Sequence, residues 1–375
     1  MTKPLEGILV VSFDQVVAAP LAARRLADAG ARVIKLERRE GDAARGHDRI
    51  AQGASSYFAW LNRGKESVVV DMKAEADRRL FDALIAEADI FIQNLRPGAL
   101  AGLGYPIEDL LQRYPKLIAC SISGYGDEGP YADRKAYDLL IQAETGLASV
   151  TGGPEAPARV GVSIVDIATG LHAYEAILEA LIGRGRTGKG ADIRVSMFDT
   201  TVELMAVPLL HGQYGTPPKR IGFAHPSLAP YGVFQSADSL PILISIQNDR
   251  EWSVFCTRIL ERPDLIKDPR FINNETRAAN RRDTDGLVAA CFATRDVATL
   301  ARQLEEAQIA FARVNEVLDV LRHPHFRQVT IDSAGGPIGL PTPPAKFMHD
   351  PAPRFGALPS LGEHTQAVRR EFIKS

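Results

Sequence analysis

The sequence predicts an α/β fold: a doubly wound, mostly parallel, Rossmann-like sheet, then a smaller α+β domain and a C-terminal segment that returns to the first. Short apolar runs in the first half alternate with helix-patterned stretches, as strands joined by crossover helices do. Around residue 212 the alternation gives way to Gly, Pro and basic residues, and residues 335–359 hold seven prolines. A chain of 375 residues also exceeds what one core usually organises. These breaks divide it into a large domain over 1–211, a linker over 212–230, a small domain over 231–330, and a linker with C-terminal segment over 331–375.

Ile8–Val11 reads as the first strand, since an unbroken apolar run suits a strand buried on both faces. Pro20 can open a helix at its first turn, Ala22–Ala29 continues it, and Gly30 stops it. Ala31–Glu37 is the second strand, followed by Arg38 and Arg39. Val68–Asp71 is the third strand, Lys73–Glu87 a helix, Ile90–Gln93 the fourth strand and Leu117–Ser121 the fifth. Ligands of such sheets lie beyond the carboxyl ends of the strands, and Arg38, Lys73, Asn94 and Lys135 fall at or after such ends. No G-x-G-x-x-G follows strand one; Val10–Gln15 stands there, which disfavours a nicotinamide enzyme. Gly183–Gly190 lacks Walker spacing and reads as a tight turn from a helix into a strand around Ile193–Val195, with 197–207 helical beyond it. In the second domain, 229–234 and 240–246 pair as strands, 251–260 and 297–307 are helices, and 310–314 is a strand. The prolines of 335–359 predict an extended tail.

Composition narrows the function. With 45% hydrophobic and 24% charged residues the chain is an ordinary globular one, and a net charge of −2 offers no field for nucleic acid or anionic lipid. No apolar run reaches the length of a membrane span, and the N-terminus lacks a signal-peptide core. Cys120, Cys256 and Cys291 are far apart and odd in number, so neither a disulfide framework nor a metal site is expected, and the cytoplasm is the expected compartment.

The densest functional signal is Ser163-Ile164-Val165-Asp166-Ile167-Ala168-Thr169-Gly170, which runs into the helix pattern Leu171–Leu181. Two readings of Asp166 compete. One is a helix N-cap whose carboxylate accepts the orphan N–H groups of the first turn. The other is a partly desolvated carboxylate held at a helix start as a nucleophile. The octet by itself leaves both open.

Several stretches together resemble one family. Pro4-Leu5-Glu6-Gly7-Ile8, Leu26–Glu37, Asn62-Arg63-Gly64-Lys65-Glu66-Ser67 and Asn94-Leu95-Arg96-Pro97-Gly98 are the first. Ser123-Gly124-Tyr125-Gly126, Arg186–Gly190, His225–Gly232 and Leu361-Gly362-Glu363-His364-Thr365 complete the series in order. From residue 4 to about 372 the chain resembles the family III CoA-transferases, the group of formyl-CoA and carnitine CoA-transferases. The resemblance implies that Asp166 is the nucleophile, that coenzyme A and acyl-CoA are substrates with no permanently bound cofactor, and that two chains interlock as a homodimer. It places Val16 and Ala18 beside the ligand and Arg38 against the adenine, with Val70, Met72 and Lys73 along the nucleotide. It sets Asn94, Leu95 and Arg96 nearby, and Lys135, Ala136, Tyr137 and Asp138 by the diphosphate and pantetheine arm.

The sequence departs from formyl-CoA transferase at three places. Val17 replaces a Gln near the reacting acyl group, Gly102 stands where an Arg meets the CoA phosphates, and Arg220–Pro226 replaces a glycine-rich lid. Arg96 or Arg63 is expected to supply the missing charge. The stretches Lys135–Gln142 and Ala158–Ser163 look most like the branch acting on C4 and C5 dicarboxylic acids, mesaconyl-CoA C1–C4 transferases among them, with Arg45, Arg49 and Arg159 as candidates for the acyl carboxylate. Two alternatives stand beside this reading. An α-methylacyl-CoA racemase of the same fold needs a His–Asp pair, where this chain has Tyr137-Asp138, and Tyr is a poor base near neutral pH. The other alternative is a non-catalytic acyl-CoA-binding protein.

Overall fold

The computed structural model describes residues 3–348 and 354–373. It opens with β1 (Leu9–Phe13), α1 (Ala18–Asp28), β2 (Arg32–Glu37), α2 (Ser56–Asn62), β3 (Lys65–Val69), α3 (Glu75–Glu87) and β4 (Ile90–Gln93). Two short helices, α4 (Ala99–Gly102) and α5 (Ile107–Arg113), lead to β5 (Ile118–Ser123), α6 (Asp138–Glu144) and α7 (Leu147–Val150). The long α8 (Ile164–Thr187) runs into β6 (Ala191–Ser196), α9 (Met197–Leu204) and α10 (Ala206–Tyr214). β7 (Tyr231–Gln235), β8 (Pro241–Ser245), α11 (Asp249–Arg258), α12 (Asn274–Ala279), α13 (Arg281–Phe292), α14 (Val297–Glu306), β9 (Ala310–Arg313) and α15 (Val317–Leu321) follow. The chain ends with the hairpin β10 (Gln328–Ile331) and β11 (Ile338–Pro341), and with α16 (Thr365–Phe372).

β1 to β6 form one six-stranded sheet in the order β3-β2-β1-β4-β5-β6, parallel at every pairing. Successive side chains of a strand face opposite sides, and both sides here are apolar. Val11, Ile34 and Phe91 pack with Phe81 and Leu84 of α3, while Val10, Val33 and Ile92 pack with Ala22 and Leu26 of α1 and Ala173 and Ile177 of α8. The strand order reverses between β1 and β4, and the crevice at such a reversal is where doubly wound sheets bind ligands. There the Gln15 N–H donates to Asn94 Oδ1 at 2.9 Å, and Asn94 Nδ2 returns a bond to the Gln15 carbonyl at 2.9 Å.

The chain separates into two compact units, Met1–Leu147, Arg159–Val207 and Arg327–Ser375 in one, and Ala148–Ala158 and Pro208–Phe326 in the other. The second carries an antiparallel sheet, β7-β8-β9, covered by helices around Trp252, Phe255, Phe271 and Phe292. In the first, the C-terminal segment lies along β3. The Gly64 N–H donates to the Ala357 carbonyl at 2.8 Å, and the His364 N–H to the Ser67 carbonyl at 3.0 Å.

Several boundaries differ from the sequence expectation. β3 begins at Lys65, not Val68, because the Lys65 ammonium is buried on Asp14 and the apolar run marks only the end of the strand. α8 continues through Gly183–Thr187, read as a turn, and stops at Gly188, whose φ is +70°. The stretch 335–359 is not extended tail throughout, since Ile338–Pro341 pairs with β10; residues 349–353 lie outside the described residues. Among the described residues no helix is long and apolar enough to cross a membrane.

Candidate active site

The N-terminus of α8 organises the site. Ser163 occupies the cap position but its side chain makes no capping bond. The capping carboxylate comes from Asp138, the first residue of α6: its Oδ2 accepts the N–H of Val165 at 2.8 Å and of Asp166 at 3.3 Å. Gln142, one turn on, donates to Asp138 Oδ1 at 2.6 Å and accepts the Val160 N–H at 2.9 Å, tying in the loop that feeds α8. Asp166 is therefore the third residue of the helix and not its cap, which corrects the first of the two readings from sequence. Its own carboxylate has no hydrogen-bond or ion-pair partner among the described residues. Burial pushes its pKa up to about 7, with the Asp138 charge adding to the shift.

Two walls meet at this helix start. Val17, Leu21 and Leu61 are buried, and the partly buried Val16, Tyr57, Trp60, Ile167 and Leu171 pack against them. Gly170, one turn beyond Asp166, lets α1 approach: a Cβ there would stand 2.5 Å from the Ala18 carbonyl oxygen. On the other side Ile141, Val165 and Met197 pack with Ala136. Gly124 permits that approach, since its Cβ would lie 2.1 Å from the Ala136 Cβ.

The β1–α1 turn that forms the first wall stands on buried charges. Lys35 Nζ reaches Asp14 Oδ1 at 2.5 Å and Asp42 Oδ2 at 2.9 Å, and Lys65 Nζ reaches Asp14 Oδ2 at 2.6 Å. Burial would raise the Asp14 pKa, but the two ammonium groups outweigh it and hold Asp14 at about 2. Burial lowers Lys65 to about 8, against the pull of Asp14.

The residues expected along CoA fall into four places. Ala18 approaches α8 at Gly170, Val16 packs against the Val17, Leu21 and Leu61 cluster that Ile167 of α8 also joins, and Asn94 and Leu95 flank the reversal beside Gln15. Ala136, Tyr137 and Asp138 lead into α6, where Tyr137 is exposed and Asp138 is engaged as the cap of α8. Arg38, Val70, Met72 and Lys73 follow β2 and β3, with Val70, Met72 and Leu95 packed on one apolar cluster. The charged ends of Arg38, Lys73, Arg96 and Lys135 are exposed and have no ion pair among the described residues. Arg63 does not have that freedom: it is buried, with Nη2 on Asp28 Oδ2 at 2.7 Å and its guanidinium over the Phe355 ring. It is therefore withdrawn as the source of the missing positive charge. Arg45 is likewise engaged, with Glu37 at 2.7 Å. Gln142, Gly170, Asp42 and Lys65 stand within the stretches that carry the family resemblance, but the sequence reading gave them no role; Lys35 was a further signal, a charge inside an apolar strand.

A model of CoA-transferase family III matches residues 5–365. The chain belongs to that family. An acetyl-CoA:oxalate CoA-transferase of Acetobacter aceti is 38% identical, over 98% of this chain and 96% of its own. A succinyl-CoA:glutarate CoA-transferase of Mus musculus is 34% identical, over 99% of this chain and 87% of its own. The crystal structure of a CaiB/BaiF family protein from Brucella suis covers all of both chains with a TM-score of 0.85 and 36% identity. As a family III CoA-transferase, the protein acts on CoA thioesters and carboxylic acids, and a desolvated carboxylate is a group able to pass between those two states.

The raised Asp166 pKa carries a stability consequence with a definite sign. Between an ordinary Asp value near 4 and about 7 the folded state holds a proton that the unfolded state has lost, so stability falls as pH rises through that window. Asp166→Asn removes the burden. At pH 8 the variant is expected to be more stable than wild type by on the order of 2–4 kcal/mol, with the difference fading toward pH 4. Denaturant titrations across that range measure it.

Proposed function

We propose that the enzyme moves CoA between carboxylic acids through covalent intermediates on Asp166, with a C4 or C5 dicarboxylic acyl group on CoA. The observation that carries the reading is the unpartnered, partly buried carboxylate of Asp166 in the first turn of a helix already capped by another residue. The Asp166 carboxylate attacks the thioester carbonyl, the C–S bond breaks, and a mixed anhydride and CoA thiolate result. The thiolate attacks the aspartyl carbonyl, which releases the donor acid and leaves an aspartyl-CoA thioester. The acceptor carboxylate then runs the two steps in reverse. Each intermediate keeps an activated acyl group, so exclusion of water is the main demand on the site. Val16, Val17, Ile167 and Leu171 supply an apolar wall for that purpose.

CoA is proposed to lie along the carboxyl edge of the sheet, between Arg38 and Lys73 at one end and Lys135–Tyr137 at the other, with Val16, Ala18, Asn94, Leu95 and Arg96 between them. Arg96 takes the role of the Arg missing at Gly102. For the distal acyl carboxylate, Arg159 is favoured over Arg45, because it is exposed in the loop entering α8 while Arg45 is held by Glu37. The names of the oxalate and glutarate enzymes support a dicarboxylic substrate. Interlocked homodimerisation is proposed as well: Leu209, Leu210 and Tyr214 are exposed on α10 of the single chain, apolar side chains suited to a second copy.

Incubation with succinyl-CoA or mesaconyl-CoA and hydroxylamine is expected to leave a hydroxamate on the peptide containing Asp166, and Asp166→Ala to lose about 10³-fold or more in CoA exchange. Exchange without any adduct would exclude the covalent route. In solution the native mass should be twice that of the chain by analytical ultracentrifugation; a monomer would refute the dimer.

A further inference from the structure

We infer that Asp42, with the buried charges of Asp14, Lys35 and Lys65, is a positioning residue that holds the Val16–Ala18 turn in the shape that walls the reacting end of the site. This rests on the reading of Asp166 as the nucleophile. The starting observation is the backbone of Val16, whose φ is +62°. A β-branched residue is disfavoured in that left-handed region, so something outside the residue must hold it there. The hold is visible. The Val16 N–H donates to Asp42 Oδ1 at 3.1 Å, an oxygen already fixed by the Ala44 N–H at 2.9 Å.

The rest of the turn is pinned by the same charges. Lys35 Nζ bridges Asp42 Oδ2 at 2.9 Å to the Asp14 carbonyl at 2.6 Å and to Asp14 Oδ1. Lys65 Nζ joins Asp14 Oδ2 at 2.6 Å, the Pro20 carbonyl at 3.1 Å and Asn62 Oδ1 at 2.9 Å. The segment 14–20 is thus held at its start, at Val16 and inside the first turn of α1, by side chains from β2, β3 and the loop after β2. The four charged side chains are buried and sum to zero.

Buried ion pairs are weak evidence for stability, because apolar side chains of the same volume often do as well or better, whereas ion pairs fix direction and register. What the turn carries points the same way. Val16 and Ile167, the residue after Asp166, both pack against the cluster of Val17, Leu21 and Leu61, and the Ala18 carbonyl comes so close to Gly170 that a Cβ there would stand 2.5 Å from its oxygen. Any relaxation at Val16 therefore moves a wall that touches the first turns of α8. A misplacement of about 1 Å among reacting groups costs about 10²-fold in rate.

The test compares full-length wild type, Asp42→Asn and Asp42→Glu, each with and without Val16→Gly, in steady-state CoA exchange between succinyl-CoA and a dicarboxylic acid. Asn removes the charge facing Lys35, while Glu keeps it and carries the acceptor past the Val16 N–H. Expected for each folded variant is a kcat lower by about 10- to 100-fold with the acyl-CoA KM changed by less than about 3-fold. Adding Val16→Gly should then restore about 5-fold or more of the lost kcat, because glycine adopts the turn's φ without being held. If Asp42→Asn does not fold, the Asp42→Glu pair gives the same comparison. An unchanged kcat in a folded Asp42 variant, or a loss that Val16→Gly leaves intact, would overturn the inference while leaving the role of Asp166 standing. A wild-type enzyme that exchanges CoA without an Asp166 adduct would overturn the reading of Asp166 instead, and this inference with it.

Discussion

Two N–H groups at the head of α8 meet one carboxylate, and that carboxylate belongs to Asp138 rather than to Asp166. The nature of the site follows from this. A helix start offers unsatisfied donors, and a carboxylate that takes them is stabilised as an anion. Because Asp138 takes them, Asp166 keeps its lone pairs free, and burial plus a neighbouring like charge lift its pKa to about 7. A carboxylate near neutral pKa is a better nucleophile than an ordinary aspartate, yet a substantial fraction remains ionised at physiological pH. Gln142 makes the division of labour stable by holding Asp138 from one side and the loop before α8 from the other.

Much of the large sheet was legible because its strands are buried on both faces. Val10 and Val11, Ile90 and Phe91, and Ile118 and Ala119 belong to continuous apolar runs of the kind a parallel sheet covered by helices produces. Lys65 shows where that rule stops. A lysine at the head of a strand reads as loop until its partner Asp14, 51 residues away in sequence, is known. The same limit hid the capping of α8, since no local pattern links Asp138 to Val165. The octet around Asp166 announced a helix start and an acid but not which acid would serve the helix.

Arginines were the least legible of all. Arg63 and Arg45 looked as available in sequence as Arg159 and Arg96, but Asp28 and Glu37 claim the first two. Availability of a cation is a property of its neighbours in space, and a motif carries no record of them. The buried quartet beneath the β1–α1 turn illustrates the complementary point. Its charges are buried and paired with one another, and they stand under the segment where a nucleotide-binding fold would place glycines.

The central claim is that the Asp166 carboxylate itself enters and leaves covalent bonds, and oxygen tracing tests it most directly. The enzyme is first charged with acyl-CoA, and an acceptor acid labelled in its carboxylate with heavy oxygen is then supplied for a single turnover. When the acceptor attacks the aspartyl-CoA thioester and is carried off on CoA, the bridging oxygen of the anhydride stays with the aspartate. The account predicts heavy oxygen in the peptide containing Asp166, resolved by mass spectrometry. Turnover that leaves this peptide unlabelled, with the heavy oxygen lost by the acceptor found in the released donor acid or in water, would contradict it.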